Sequence, residues 1–314
     1  MTANSQPAIH VAGLSKSFPG VRAVDHLTFD VQAGEIFGLV GPDGAGKTTT
    51  LRMLAGVMPP DEGSAIVAGF DVGSDPEGAK HHLSYMPQRF GLYEDLTVDE
   101  NIRFYADLFG VSRAEREQRS PELLRAAGMS EFRKRLAGQL SGGMKQKLGL
   151  VCALIHRPKV ILLDEPTTGV DPVSRRDFWR ILYNLVSEGV AILTSTAYLD
   201  EAERCQRVAL VHQGKLLFCD TPPNLKARLG KGVLAVISTD PRRLREELEK
   251  AGGISSLVLT GDGVHAVVDD LSRRLPEFEA RLRSAQVPFD EIRQATPTIE
   301  DVFVDAVTAG RSQP

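Results

Sequence analysis

The stretch Gly41-Pro-Asp-Gly-Ala-Gly-Lys-Thr-Thr49 sets glycines, a lysine and two threonines in the spacing GxxxxGK(S/T). Glycines at 41, 44 and 46 let the backbone turn inward, so that successive N–H groups and a helix N-terminus face an anion. Lys47 is then placed to reach β/γ-phosphates and Thr48 a Mg²⁺ ion. The bland alternative is a glycine turn closing a strand–helix unit. Context favours the phosphate cradle, because the apolar run Glu35–Val40 precedes it and the helical pattern Thr50-Leu-Arg-Met-Leu follows. A second constellation, Val160-Ile-Leu-Leu-Asp-Glu165, is an apolar strand ending in two carboxylates. In such a pair Asp164 can serve the metal shell while Glu165 polarises an attacking water. In a third, Leu140-Ser-Gly-Gly-Met-Lys-Gln146, Ser141 precedes Gly142 and Gly143 at the opening of a helix. This makes either a second anion-binding helix start or a plain capped turn.

These residues need a scaffold. Ile9–Phe18 and Leu27–Val31 read as short strands and Glu35–Val40 as a buried strand feeding the glycine loop. From Thr97 to about His156 the pattern turns helical, with apolar Ile102, Phe104, Tyr105, Leu108 and Phe109, and then the charged stretch Arg113–Arg119, read as a solvated helix face. An inserted helical subdomain at 97–156 follows. Strand signals return at Val160–Leu163 and Val190–Thr194 around a helix starting near Pro172, so the core resumes with parallel strands. Past Pro222-Pro223 and Gly230-Lys-Gly232 the order becomes strand 233–238, helix 241–251, strand 254–260, strand 264–268, helix 271–285 and strand 288–293. That β-α-β-β-α-β order predicts a small ferredoxin-like α+β unit. A last helix, Thr298–Val307, is announced by Thr298 as N-cap with acidic residues in its first turn.

At 314 residues the chain suits a main domain and a smaller one. Its net charge of -4 argues against wholesale nucleic-acid binding, which leaves a basic footprint. Cys152, Cys205 and Cys219 are scattered without CxxC spacing, fitting buried thiols in a reducing compartment better than disulfides or zinc. No apolar run approaches the roughly 18 residues that span a bilayer, and Met1–His10 lacks the regions of a signal peptide. A membrane role therefore has to come through a partner.

Taken together, the segments resemble the ATP-binding subunit of an ABC transporter, over roughly residues 8 to 230. The resemblance implies a P-loop NTPase α/β fold for an ATP-binding domain at 1–230, a small accessory domain at 231–314, and ATP and Mg²⁺ as cofactors. Gly41, Gly44, Ala45, Gly46, Lys47, Thr48 and Thr49 match the Walker A loop that holds the nucleotide, Ile161–Glu165 matches Walker B, and Ser141, Gly142 and Gly143 match the signature motif. Gln88, in Tyr-Met-Pro-Gln, is similar to the glutamine that touches Mg²⁺ and senses the transporter, and Thr168-Gly-Val-Asp171 to the D-loop, with Asp171 at a dimer seam. Thr48, Gln88 and Asp164 are thus the implied metal residues, and Glu165 and Gln88 the catalytic ones. Phe18 sits where the family stacks an aromatic ring on adenine, although a strand core explains a phenylalanine equally well. The family implies ATP shared between two domains, each site joining the Walker residues of one to the signature of the other. Its implied partners are a second ABC ATPase and an integral membrane permease, holding a cytoplasmic subunit at the inner face of the cell membrane. Soluble ABC ATPases of translation or DNA repair fit less well, since the chain has neither a second such domain nor a long coiled-coil insertion.

Two positions depart from the family pattern. Thr194-Ser-Thr-Ala-Tyr-Leu-Asp-Glu201 puts Ala197 at the switch-histidine position. A methyl group cannot donate to a γ-phosphate, so the half-site is expected to bind ATP but hydrolyse it slowly, the alternative being that water or a neighbouring side chain substitutes. Asp43 stands where the family has asparagine; a side chain pointing outward makes its effect modest. The tail Thr296–Ala306, TPTIEDVFVDA, resembles the end of ABC ATPases of drug export, the daunorubicin-resistance type. Phe90–Tyr105 would line a groove for a coupling helix of the permease, or else serve as core.

Overall fold

The computed structural model describes residues 6–89 and 91–311. It contains, in order, β1 (Ile9–Phe18), β2 (Val21–Val31), β3 (Ile36–Val40), α1 (Lys47–Leu54), β4 (Glu62–Val67), β5 (Phe70–Asp71), α2 (Pro76–Lys80) and β6 (Leu83–Met86). Three longer helices follow, α3 (Val98–Leu108), α4 (Arg113–Ala126) and α5 (Gly142–Leu154). The chain continues through β7 (Val160–Asp164), α6 (Pro172–Ser187), β8 (Ala191–Thr196), α7 (Leu199–Ala202), β9 (Arg207–His212), β10 (Lys215–Asp220) and α8 (Pro222–Arg228). It ends with β11 (Gly232–Ile237), α9 (Pro241–Leu248), β12 (Ile254–Leu259), β13 (Gly263–Val268), α10 (Leu271–Ser284), β14 (Glu291–Ala295) and α11 (Ile299–Arg311). Two compact units result: Met1–Tyr198 with Cys205–Cys219, and Leu199–Arg204 with Asp220–Pro314.

In the first unit a six-stranded sheet runs β10-β9-β3-β8-β7-β6. Strands β3, β8, β7 and β6 pair in parallel, as does β9 with β3. Every residue of β3 and of β7 is buried, which is why both read as unbroken apolar runs rather than alternating ones. A second sheet, β2-β1-β4-β5, is antiparallel. The core lies between the two sheets, where Phe29 of β2 stacks on Phe37 of β3 with ring centroids 5.2 Å apart.

The helical stretch is punctuated by caps. Thr97 and Ser112 each form a capping box, with Glu100 and Glu115 as reciprocal partners, so α3 and α4 have defined starts. The charged stretch opening α4 is only partly solvated. Arg113 is exposed beside Glu117, but Arg119 turns inward and donates to the carbonyls of Leu154 and Ile155 at the end of α5. That end exposes carbonyls which need donors, and a guanidinium supplies several.

The second unit carries an antiparallel sheet in the order β12-β13-β11-β14. Leu234, Val236, Val264 and Ala266 meet Leu244, Leu248, Phe278 and Leu282 of α9 and α10 to form its core. Its last strand begins at Glu291 rather than at residue 288, because it takes its register from β11, where Ile237 pairs with Glu291. Pro288 has no N–H for a ladder, and its carbonyl accepts from Ser238 instead. Thr298 caps α11: its Oγ1 accepts from Asp301 N–H at 3.1 Å, and its own N–H donates to Asp301 Oδ2 at 2.8 Å. Among the described residues no helix is long and apolar enough to cross a membrane.

Candidate functional site

The glycine loop joins the end of β3 to α1, and two of its glycines are required by close approach. A Cβ on Gly41 would lie 2.2 Å from the Val211 carbonyl oxygen, and one on Gly46 the same distance from that of Ala23. Gly46 also has φ 97°, the left-handed region that a side chain disfavours. It begins α1 without a side-chain cap, and no acidic residue occupies the first turn. The first N–H groups of the helix are thereby left for an anion.

Lys47 is only 4% exposed, with Nζ 2.8 Å from Gly41 O and 3.1 Å from Pro42 O. Its third neighbour is Glu165 Oε1 at 3.2 Å. Thr48 Oγ1 donates to Asp164 Oδ1 at 3.0 Å. Gln88 Nε2 and Thr168 Oγ1 each donate to Glu165 Oε2 at 3.3 Å. A cleft of about 360 Å³ is lined by Phe18, Val21, Asp43 to Thr49, Gln88 and Glu165. Phe18 is 42% exposed there, so it is no part of the core. Asp43 is exposed as well.

The remaining expected residues lie elsewhere. Ser141 caps α5 by accepting from Met144 N–H, and neither it nor Gly142 or Gly143 lines the cleft. Gly143 packs instead on the start of α6, where a Cβ would fall 2.5 Å from Ser174. Asp171 caps α6 through the N–H groups of Val173 and Ser174. Those bonds, the one from Ser174 N–H foremost, hold its carboxyl below the usual range. Ala197 directly follows Thr196, whose carbonyl accepts Gly41 N–H at 3.2 Å, yet it does not line the cleft. Phe90 lies outside the described residues, whereas Tyr93 and Phe104 are exposed and touch edge to face at 4.6 Å.

Two contributors escape motif reading. Ser195 Oγ donates to Asp164 Oδ1 at 2.7 Å, and Tyr85 Oη to Asp164 Oδ2 at 3.3 Å. Burial, and next the Asp164 carboxylate, push the Tyr85 phenol above its ordinary value, so it stays a donor. A hydroxyl in the wholly buried strand Ala191–Thr196 was the available clue.

Comparison with known proteins fits this geometry. Residues 24–168 match the family model described as ABC transporter. The chain is 40% identical over 250 residues to the daunorubicin/doxorubicin resistance ATP-binding protein DrrA of Streptomyces peucetius, covering 79% of this chain and 76% of DrrA. It belongs to the ABC transporter ATP-binding proteins. Within that family it is 46% identical over 311 residues to the probable multidrug ABC transporter ATP-binding protein YbhF of Escherichia coli (strain K12), which groups this ABC protein with YbhF and DrrA. The match takes in 97% of this chain but only 53% of YbhF, so the chain spans about half the length of that relative. The fold agrees with the solved structure of an ATP-binding subunit of an ABC transporter, with TM-score 0.65 and 32% identity over 71% of this chain and 93% of that one. The ABC ATPase fold here carries an additional C-terminal sheet.

Proposed function

We propose that the chain binds and hydrolyses ATP as the cytoplasmic subunit of an exporter, working at the inner face of the membrane on a separate permease. The supporting observation is the convergence of Lys47, Thr48, Gln88, Asp164 and Glu165 through contacts of 3.0 to 3.3 Å beside one glycine-lined cleft. In this reading the triphosphate runs along the N–H groups of Gly44 to Thr49, and Phe18 stacks on the base. Lys47 trades its carbonyl and Glu165 partners for phosphate oxygens.

The donor set suits Mg²⁺. Thr48 and Asp164 offer two hard oxygens 3.0 Å apart, and this ion takes few protein ligands, completing its shell with water and phosphate oxygens. Bound there, it would neutralise charge on the β- and γ-phosphates. Glu165 accepts the proton of the attacking water as the bond to the ADP oxygen breaks, and Gln88 holds the Glu165 carboxylate in place.

The ATP-binding domain is read as 1–230 with a helical subdomain at 97–156, and 231–314 as a ferredoxin-like accessory domain. Ser141 to Gly143 and Asp171 lie away from the chain's own cleft, which suits a composite site completed by a second ABC ATPase. Drug-type export is taken from the names of YbhF and DrrA. With Ala197 in the switch position, the chain's own half-site turns over slowly, and its partner is a different, histidine-bearing ATPase. Ala197 also favours a second reading, a non-hydrolysing ATP-gated subunit. The test is ATP turnover by the chain alone and with its co-purified partner. Turnover abolished by Glu165→Gln supports the hydrolytic reading; binding without turnover in either sample supports the gated one; no ATP binding removes both.

A further inference from the structure

Asp164 and Glu165 are adjacent, yet their side chains serve different partners, Asp164 meeting Thr48 while Glu165 meets Lys47 and Gln88. Part of that divergence is built into the backbone, since Glu165 has φ 48°, a left-handed conformation. A residue with a Cβ is disfavoured in this conformation, so something must hold it. What holds it is on β8. Ser195 pairs with Asp164 across the parallel ladder, and both its carbonyl and its hydroxyl accept the Glu165 N–H, at 3.2 and 3.0 Å. The same hydroxyl spends its one hydrogen on Asp164 Oδ1 at 2.7 Å.

We propose that Ser195 is a positioning residue, which fixes the carboxylate of Asp164 toward the metal and the backbone of Glu165 toward the water. The inference rests on the Mg²⁺–ATP reading above. Ser195 is fully buried, in a strand where an apolar side chain would pack as well. A hydroxyl there is costly unless bonded, and this one is bonded on both sides to the two carboxylate residues. Tyr85 grips the other oxygen, Asp164 Oδ2, from β6, so the carboxylate cannot rotate without losing one donor or the other. Groups that orient a metal ligand commonly change metal affinity or activity 10- to 100-fold when removed.

The test uses the full chain saturated with a fluorescent ATP analogue and titrated with Mg²⁺, with analogue affinity also measured in EDTA and folding followed by thermal melting. In Ser195→Ala the half-saturating Mg²⁺ concentration should rise about 10- to 100-fold, while metal-free affinity stays that of the wild type. Ser195→Thr, which keeps the hydroxyl, should restore it. If the alanine chain fails to fold, Ser195→Cys carries the same comparison, keeping the size and weakening the bond. A variant without the hydroxyl that titrates like wild type overturns the inference, as does a threonine variant as impaired as the alanine one. A wild-type chain that binds the analogue with no response to Mg²⁺ overturns the reading beneath it.

Discussion

Lys47 Nζ and Glu165 Oε1 lie 3.2 Å apart, with the two side chains only 4% and 13% exposed. The pair joins the first turn of α1 to the residue after β7. In the proposed cycle a phosphate must take Lys47 away from Glu165, which frees the carboxylate as the substrate arrives. Glu165→Gln removes the proton acceptor while leaving Lys47 its carbonyl partners. Turnover should fall about 10²- to 10⁴-fold, as for loss of a general base, with ATP affinity kept or raised. Steady-state hydrolysis and equilibrium nucleotide binding on the same preparation check this; a parallel loss of both would contradict it.

Ala197→His tests the proposed impairment by placing a donor after β8. Removing one charge-stabilising donor typically costs about 10² to 10³ in rate, so the substitution should raise turnover by up to that factor with little change in KM. An unchanged kcat, with Glu165→Gln still abolishing activity, would mean that the half-site is not impaired.

Gly46→Ala tests the cradle by geometry. The new Cβ would sit 2.2 Å from the Ala23 carbonyl at φ 97°, so both the loop and its β2 neighbour must shift. Backbone conformation alone costs about 1–2 kcal/mol, and the clash adds to it. A lowered melting temperature and lost ATP binding are expected. Gly44→Ala shares the strain of a left-handed φ of 77° but has open space around its Cβ, so it should keep more of both.

His265 and the fully buried Asp301 make a pH-dependent tie between β13 and α11 at 3.1 Å. The bond that the ring donates to Asp301 raises the histidine's pKa above its ordinary 6.5 against the opposing effect of burial. A raised folded pKa gives stability that is fully present below about pH 6.5 and is lost as pH climbs through the folded value. Urea unfolding of the C-terminal unit, followed by the exchange of α11 amides, should show this decline as pH rises beyond about 6.5. His265→Gln should flatten it.

The chemistry of the site is largely legible in the sequence because it is local. A glycine loop between a strand and a helix needs nothing beyond residues 35 to 54 to be read, and the acidic pair closing β7 reads equally well. An unbroken apolar run marks β3 as a buried strand, and the strand–helix–strand order marks β7 and β8 as parallel. β9 and β10 carry apolar runs of their own, Val208–Val211 and Leu216–Cys219, whereas β4 and β6 carry no such signal, and β2 begins at Val21, ahead of the Leu27 start that its apolar residues suggest. Exposed edges and hairpins are stabilised by their neighbours more than by their own pattern.

The groups able to do chemistry stand in plain view along the chain: the phosphate cradle, the two carboxylates, the capped Ser-Gly-Gly turn and the alanine at 197. How they are aimed follows from the assembled fold. That Phe18 is exposed beside the cleft, that Arg119 turns inward, and that Ser195 and Tyr85 hold Asp164 all depend on contacts between residues far apart in the chain. A hydrogen bond needs a partner within about 3 Å, and which strands come side by side is settled by packing the whole core, not by any one segment.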